Sequence, residues 1–250
     1  MKIKFWGTAA GLAERGRHCT SMRVEVGGEY YIIDFGAPVE YLIANEGIRL
    51  SDIRAGFITH MHSDHVDALP SFAKLYAQFT NFIYAPASVD IFMPDGIDAF
   101  LSWLGALRLS MSERMRFRRV AAGVIYDNGC VRVRAIPTEH LGKGNPCYAY
   151  VFEAEGKRVL FSGDLTDDLH DFPSGEHYDL VICELAHGQI PALISRLNGA
   201  GVGRVIFNHM STDPVILEKI QMDRIGLLEK EKDAIAFSYE LASDGLELEV

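Results

Sequence analysis

The chain has no apolar run approaching the roughly 18 residues that a membrane-spanning helix needs. It carries only four cysteines, Cys19, Cys130, Cys147 and Cys183, spread far apart without a C-x-x-C pair. That spacing argues against a disulfide framework and fits reduced thiols. No Pro/Gly linker, low-complexity tract or solenoid repeat divides the sequence. Positive charge is in deficit, 24 Lys and Arg against 34 Asp and Glu, for a net charge of −10. Such a balance disfavours broad, non-specific nucleic-acid binding. Met1 to Trp6 reads as a first strand, not as a cleavable signal. Together these features predict one cytoplasmic domain over residues 1–250, without membrane attachment.

What is present alternates between strand and helix signals. Ile3 to Trp6, Met22 to Val26 and Tyr30 to Asp34 read as strands, with Gly27-Gly28 as a hairpin turn. Helices are predicted at Pro38 to Ala44, Val66 to Phe79 and Ile97 to Leu107, with strands at Gly56 to Thr59 and Phe82 to Ala85. The second half reads as strands at Phe117 to Val120, around the turn Asp127-Asn128-Gly129, at Cys147 to Glu153, Arg158 to Ser162, Leu180 to Cys183 and Val205 to Asn208. Helices follow at Pro191 to Leu197 and Pro214 to Ile220, and strands at Ala234 to Ser238 and Leu246 to Glu249 close the chain. Each half is strand-rich first and helix-richer later. This predicts an α/β domain with two sheets between helices.

The densest chemistry is in Thr59-His60-Met61-His62-Ser63-Asp64-His65. With nine histidines in 250 residues, this His-x-His-x-Asp-His pattern arises by chance in about one chain in a thousand. In extended chain, residues i and i+2 project to one side, so His60 and His62 can grip one cation. Asp64 and His65 follow the turn and can face a second. Imidazole with carboxylate suits zinc, and also manganese or iron. One loop cannot complete two sites. His140, Asp164 and His209 each stand just past a strand-like run, where loops gather a site above a scaffold.

This set resembles the metallo-β-lactamase superfamily, and Asp34 in Ile32-Ile33-Asp34-Phe35-Gly36 matches the strand-end aspartate that supports its site. Phe5-Trp6-Gly7-Thr8-Ala9-Ala10-Gly11, Pro146-Cys147-Tyr148-Ala149-Tyr150 and Phe161-Ser162-Gly163-Asp164 resemble the ribonuclease Z-like, phosphodiesterase-like branch. The resemblance implies an αββα four-layer sandwich of two mixed sheets flanked by helices. It implies that His60, His62 and His140 hold one metal, that Asp64, His65 and His209 hold the other, and that Asp164 bridges. Two divalent ions are expected, zinc ahead of manganese or iron, with a bridging hydroxide as nucleophile.

Two stretches depart from ribonuclease Z. Its His-Glu-Ala-Thr-like motif corresponds here to Cys183-Glu184-Leu185-Ala186-His187, so Glu184 matches, the histidine is replaced by Cys183, and His187 is the candidate substitute. Asp64, Glu184 and His187 are the candidate catalytic groups. The Gly/Pro-rich arm that holds tRNA is missing from residues 66–139. That stretch holds aromatics (Tyr76, Phe79, Phe82, Tyr84, Phe92, Phe100, Trp103), read as core with a lid or dimer face as the alternative. It also holds Arg108, Arg114, Arg116, Arg118 and Arg119, read as a solvated face ahead of an anion-steering one. In the polar loop Gly11 to Ser21, Arg17 and His18 are candidate phosphate contacts.

The expected function is a dinuclear metal-dependent phosphodiesterase for a small anionic substrate such as a cyclic phosphate or nucleotide. A tRNA-processing nuclease, a thioester or lactone hydrolase, and a non-catalytic carrier on the same fold are the alternatives. A nucleic-acid substrate is not favoured, and a homodimer is considered.

Overall fold

In the computed structural model, residues 1–79, 83, 85–109, 114–220 and 223–250 are described, the side chain of residue 220 excepted. Fourteen strands among them form two seven-stranded sheets. The first contains β1 (Lys2–Gly7), β2 (Ser21–Val26), β3 (Glu29–Ile33), β4 (Ile53–Phe57), β5 (Val89–Met93), β6 (Met115–Arg119) and β14 (Glu247–Glu249), in the order β14-β1-β2-β3-β4-β5-β6. The second contains β7 (Gly123–Asp127), β8 (Val131–Thr138), β9 (Cys147–Ala154), β10 (Lys157–Phe161), β11 (Leu180–Glu184), β12 (Arg204–Asn208) and β13 (Ser238–Leu241), in the order β13-β12-β11-β10-β9-β8-β7. Both are mixed. β3 to β6 run parallel and β14, β1, β2 and β3 alternate. In the second sheet β10 to β13 are parallel and β7 to β10 alternate.

Strand periodicity builds the layers. On β11, Leu180 and Ile182 face the layer between the sheets, while Val181 and Cys183 face the outer helices. The inner layer unites Phe5, Tyr31 and Phe57 of one sheet with Tyr150, Phe152 and Phe161 of the other. Phe57 is its hub, with its ring centroid 5.0 Å from Phe92 and 5.3 Å from Phe152. Outside the first sheet lie α1 (Val39–Asn45), α3 (Leu69–Lys74) and α4 (Ile97–Ala106), burying Val39, Ile43, Phe72 and Leu104. Outside the second lie α5 (Ile190–Gly199) and α7 (Arg224–Lys230), burying Leu193, Ile194, Leu197 and Leu228. A short α2 (Ser63–Val66) carries part of the histidine motif, and α6 (Pro214–Ile220) follows β12. The expected αββα arrangement is present.

Some local expectations change, and β5 and α7 were not expected. The helix predicted over Val66 to Phe79 is broken: α2 ends at Val66, α3 begins at Leu69 with Pro70 in its first turn, and Leu75–Phe79 is a π-helical turn. Proline has no amide to donate and belongs at a helix start, so it opens a new helix. The last long strand is β13 at Ser238–Leu241; Ala234 instead ends a 3-10 turn. Helix α7, absent from the predicted elements, begins where Asp223 accepts a capping hydrogen bond from the Gly226 amide at 2.9 Å. The strand expected over Phe82 to Ala85 has Phe82 and Tyr84 outside the described residues, and Ala85 lies in irregular chain.

Candidate metal centre

The site residues gather at one edge because the strands that carry them end there. Asp34 follows β3, the His60–His65 loop follows β4, His140 follows β8, Asp164 follows β10, His187 follows β11 and His209 follows β12. β8 runs in the direction of β10, since both are antiparallel to β9. The C-terminal ends of these strands are therefore the usual crevice of an open α/β sheet.

Two groups form. His60, His62, His140 and Asp164 bring one ligand-type atom each within 4.8 Å of one another, and so do Asp64, His65 and His209. Asp164, which is buried, divides its carboxylate between them. Its Oδ2 lies 3.7 Å from His60 Nε2 and 3.6 Å from His140 Nε2. Its Oδ1 lies 3.6 Å from His65 Nε2 and 3.4 Å from His209 Nδ1. In the second group, Asp64 Oδ2 is 3.1 Å from His209 Nε2 and 3.5 Å from His65 Nε2, and these two nitrogens are 3.3 Å apart. Ligand atoms around a tetrahedral zinc stand about 3.3 Å from one another. Among the described residues, His60 Nε2, His140 Nε2, Asp164 Oδ1 and His209 Nδ1 are buried without a hydrogen-bond partner. Buried polar atoms are rarely left so unless an ion or water completes them. The donor set, its spacing and its orphaned atoms all fit divalent cations.

The surroundings orient these ligands. Asp34 accepts from His65 Nδ1 at 2.8 Å and from the Thr59 amide at 2.7 Å. The proton on His65 is thereby kept at Nδ1 and Nε2 is left for a cation. His140 Nδ1 lies 3.2 Å from the Leu165 carbonyl, which does the same for its Nε2. The Thr59 hydroxyl joins Asp34 to His60 Nδ1, at 2.9 and 3.1 Å. Thr59, whose residue type carries no metal-binding signal, is thus a hub. Asp34 (φ 59°) and His209 (φ 52°) both have left-handed backbone. For non-glycine residues this conformation is uncommon and concentrates at functional sites.

Electrostatics follow from the crowding. Burial, aided by neighbouring His65, holds the His60 imidazole well below its usual range and keeps it neutral. Burial opposes ionisation of Asp64, but His209 and His65 outweigh it and hold its carboxyl below the usual range. His187 is also pressed by burial, yet Glu184 and Asp164 raise it to about 9.

His187 does reach the cluster. Its ring centroid is 4.5 Å from that of His140, and its Nδ1 lies 3.7 Å from Asp164 Oδ2 and 3.4 Å from Glu184 Oε2. Cys183 does not: it is buried in the apolar layer beneath the helices, on the opposite face of β11. Glu184 Oε2 accepts from the amides of Ala186 at 2.6 Å and His187 at 3.0 Å, so it shapes the loop that carries His187.

The N-terminal loop behaves differently from expectation. Its link to the centre is the Gly11 amide, which donates to Asp64 Oδ2 at 2.8 Å. Nothing in residue type marked it, since any backbone amide can do this. Arg17 donates instead to Thr8 at 2.6 Å, to the Ala242 carbonyl at 2.9 Å and to Thr212 at 3.2 Å. His18 faces Asp244 and the Trp6 carbonyl. Both side chains thus tie the loop to the body of the chain. The arginines of β6 are likewise paired: Arg116 and Arg118 with Asp90, each at 2.8 Å, and Arg119 with Asp95 at 3.0 Å. Of the aromatics, Tyr76 and Phe92 are core, while Trp103 is 53% exposed.

Two sheets between helices, with histidines and aspartates at the strand ends, define a metallo-β-lactamase-fold protein. Residues 1–197 match the family described as Anti-Pycsar protein Apyc1, and the chain belongs to that family. Ribonuclease Z of Synechococcus sp. (strain CC9311) is 32% identical over 189 residues, covering 71% of this chain and 56% of the relative. Ribonuclease Z of Oenococcus oeni is 30% identical over 157 residues, 60% of this chain and 47% of the relative. The chain thus spans about half the length of these curated relatives. Among solved structures, the metallo-β-lactamase-fold protein YhfI of Bacillus subtilis superposes with a TM-score of 0.79 at 16% identity, over 99% of this chain and 98% of that one. The short form of human tRNase Z gives 0.73 at 16% identity, over 100% and 99%. A diphosphatase of the PhnP family gives 0.69 at 18% identity, over 100% and 97%.

Proposed function

We propose that this protein is a dinuclear metal-dependent hydrolase that cleaves a small phosphodiester, such as a cyclic phosphate or nucleotide, with residues 1–250 acting as one domain. The observation that carries this reading is the Asp164 carboxylate, whose two oxygens face two separate histidine groups. His60, His62 and His140 would hold one ion, Asp64, His65 and His209 the other, and Asp164 both; zinc fits this donor set best. When bound, two such ions supply a nucleophilic water at neutral pH and stabilise charge on the attacked phosphoryl group.

The chain's own residues do the rest. Asp34 and the Leu165 carbonyl fix the ring orientations of His65 and His140. His187 is the proton donor to the departing oxygen. Its Nδ1 is turned toward Glu184 and Asp164, and its Nε2 is the atom left for substrate. Glu184 sets the loop and so the ring. The anionic substrate is met by the centre itself, since Arg17 and His18 are engaged elsewhere. We also propose a cytoplasmic setting, with a homodimer covering the exposed apolar side chains at α4. Among the described residues no helix is long and apolar enough to cross a membrane.

A ribonuclease Z-like activity is the second reading, supported by the curated relatives of that name. The described residues between 66 and 139, where that enzyme carries its arm, include α3, α4 and β5 to β8. The deciding experiment is a panel of metal-loaded assays with cyclic nucleotides, cyclic sugar phosphates, precursor tRNA, thioesters and lactones. Turnover of the cyclic or small diesters alone supports the proposal. Cleavage confined to precursor tRNA, or to thioesters and lactones, overturns it.

A further inference from the structure

The loop that carries His187 is gripped from outside the matched residues. Arg224, the first residue of α7, donates through one guanidinium nitrogen to the His187 carbonyl at 2.8 Å and through the other to the Gly188 carbonyl. From the opposite side Glu184 accepts the His187 amide at 3.0 Å. The amide and the carbonyl of one residue are therefore each held by a group of opposite charge. Gly188 closes the grip, since a Cβ there would meet Leu169 Cδ2 at 2.8 Å. Helix α7 is itself anchored by the buried Leu228. Hydrogen bonds from a guanidinium fork are geometrically stiff, because both nitrogens lie in one plane.

We infer that Arg224 is a positioning residue for His187: it ties the β11–α5 loop to α7 and so sets where the imidazole stands over the metal centre. Nothing in the sequence pattern assigns it, for the family match ends at residue 197. Among the described residues, Arg224 hydrogen-bonds these two carbonyls and none of the candidate ligands. It acts through two carbonyl oxygens and the ring that follows from them. A loop without this tie leaves the metal ligands in place but lets the His187 ring drift, and misplacement by about an ångström lowers turnover by up to about a hundredfold.

The inference rests on the proposed role of His187, and its test separates the two. Arg224→Met, His187→Ala and the double variant are loaded with zinc and assayed on bis(p-nitrophenyl) phosphate. Imidazole nitrogen resonances are recorded in parallel, that of His187 being assigned by its loss in His187→Ala. Arg224→Met is expected to lower kcat about tenfold with KM and metal content unchanged, to shift or broaden the His187 resonance, and to add less than about twofold to the loss in His187→Ala. If Arg224→Met fails to fold, Arg224→Lys, which keeps the charge but not the fork, is expected to show the same pattern in smaller degree. An unmoved His187 resonance, or an equal kcat loss with and without His187, overturns the positioning role. A moved resonance with wild-type kcat in His187→Ala keeps that role and removes His187 as the acid.

Discussion

Asp34 and His65 are joined by a 2.8 Å hydrogen bond from the imidazole Nδ1 to the carboxylate, and both side chains are 1% exposed. The bond leaves His65 Nε2 aimed at His209 and Asp164. A carboxylate behind a metal-ligating histidine fixes its tautomer and strengthens it as a ligand. Asp34→Asn suits the left-handed backbone of this position (φ 59°) and keeps the size of the side chain. It is expected to weaken metal binding about 10- to 100-fold. Competition against a chromophoric zinc chelator measures this. Unchanged affinity would mean that Asp34 only shapes the backbone.

Asp164 carries a larger burden, being shared by both groups. Purified protein is expected to hold two divalent ions per chain by elemental analysis, consistent with two-ion catalysis. Asp164→Ala is expected to retain at most one and to lose turnover of bis(p-nitrophenyl) phosphate altogether. Wild-type activity in that variant would rule out a bridging role.

Chelation provides an independent check. Exhaustive dialysis against a strong chelator is expected to abolish turnover, and zinc or manganese to restore it. Restoration should weaken as pH falls, because imidazole ligands must be deprotonated to bind. A chelated protein that takes up neither ion would end the dinuclear proposal.

Gly36 sits where the chain after β3 passes beneath the histidine loop. A Cβ there would stand 2.5 Å from the Asp64 carbonyl oxygen and 2.5 Å from the Cys19 carbonyl carbon. Both are backbone atoms and cannot rotate aside. Gly36→Ala is expected to destabilise the fold by about 1–3 kcal/mol, as overpacking does, and to displace Asp64. A melting temperature equal to wild type would contradict this close approach.

Trp103 is 53% exposed on α4, with Leu101 on the same helix and Leu107 just past its end also exposed. If a second copy covers them, Trp103→Glu should halve the mass measured by light scattering and leave metal content intact. A wild-type protein that is already monomeric would remove the dimer from the proposal.

The candidate metal motif was legible in residue order because its residues are local. His60, His62, Asp64 and His65 share one loop, and His140, Asp164 and His209 each follow an apolar strand that announces itself by pattern. Those signals survive in one dimension, as does the α/β alternation. The break of the Val66–Phe79 helix was visible in Pro70, although the apolar period ran through it.

The remaining assignments depended on which strand ends meet and which backbone groups face them. Gly11 reaches Asp64 through an amide that every residue possesses. Arg17 and His18 carry phosphate-binding side chains, yet the fold hands them Thr8, Ala242 and Asp244 as partners. Cys183 and His187 are four positions apart, and only the alternation of β11 and the loop after it decides that the first is buried under helices while the second stands over the centre. By itself the sequence determined the candidate ligand types, their order and the architecture, because periodicity and metal preference belong to residue identity. Tertiary structure alone decided the sharing of Asp164, the orientation of each imidazole and the hold of Arg224 on His187. Those depend on directional hydrogen bonds between segments far apart along the chain, and linear order does not encode them.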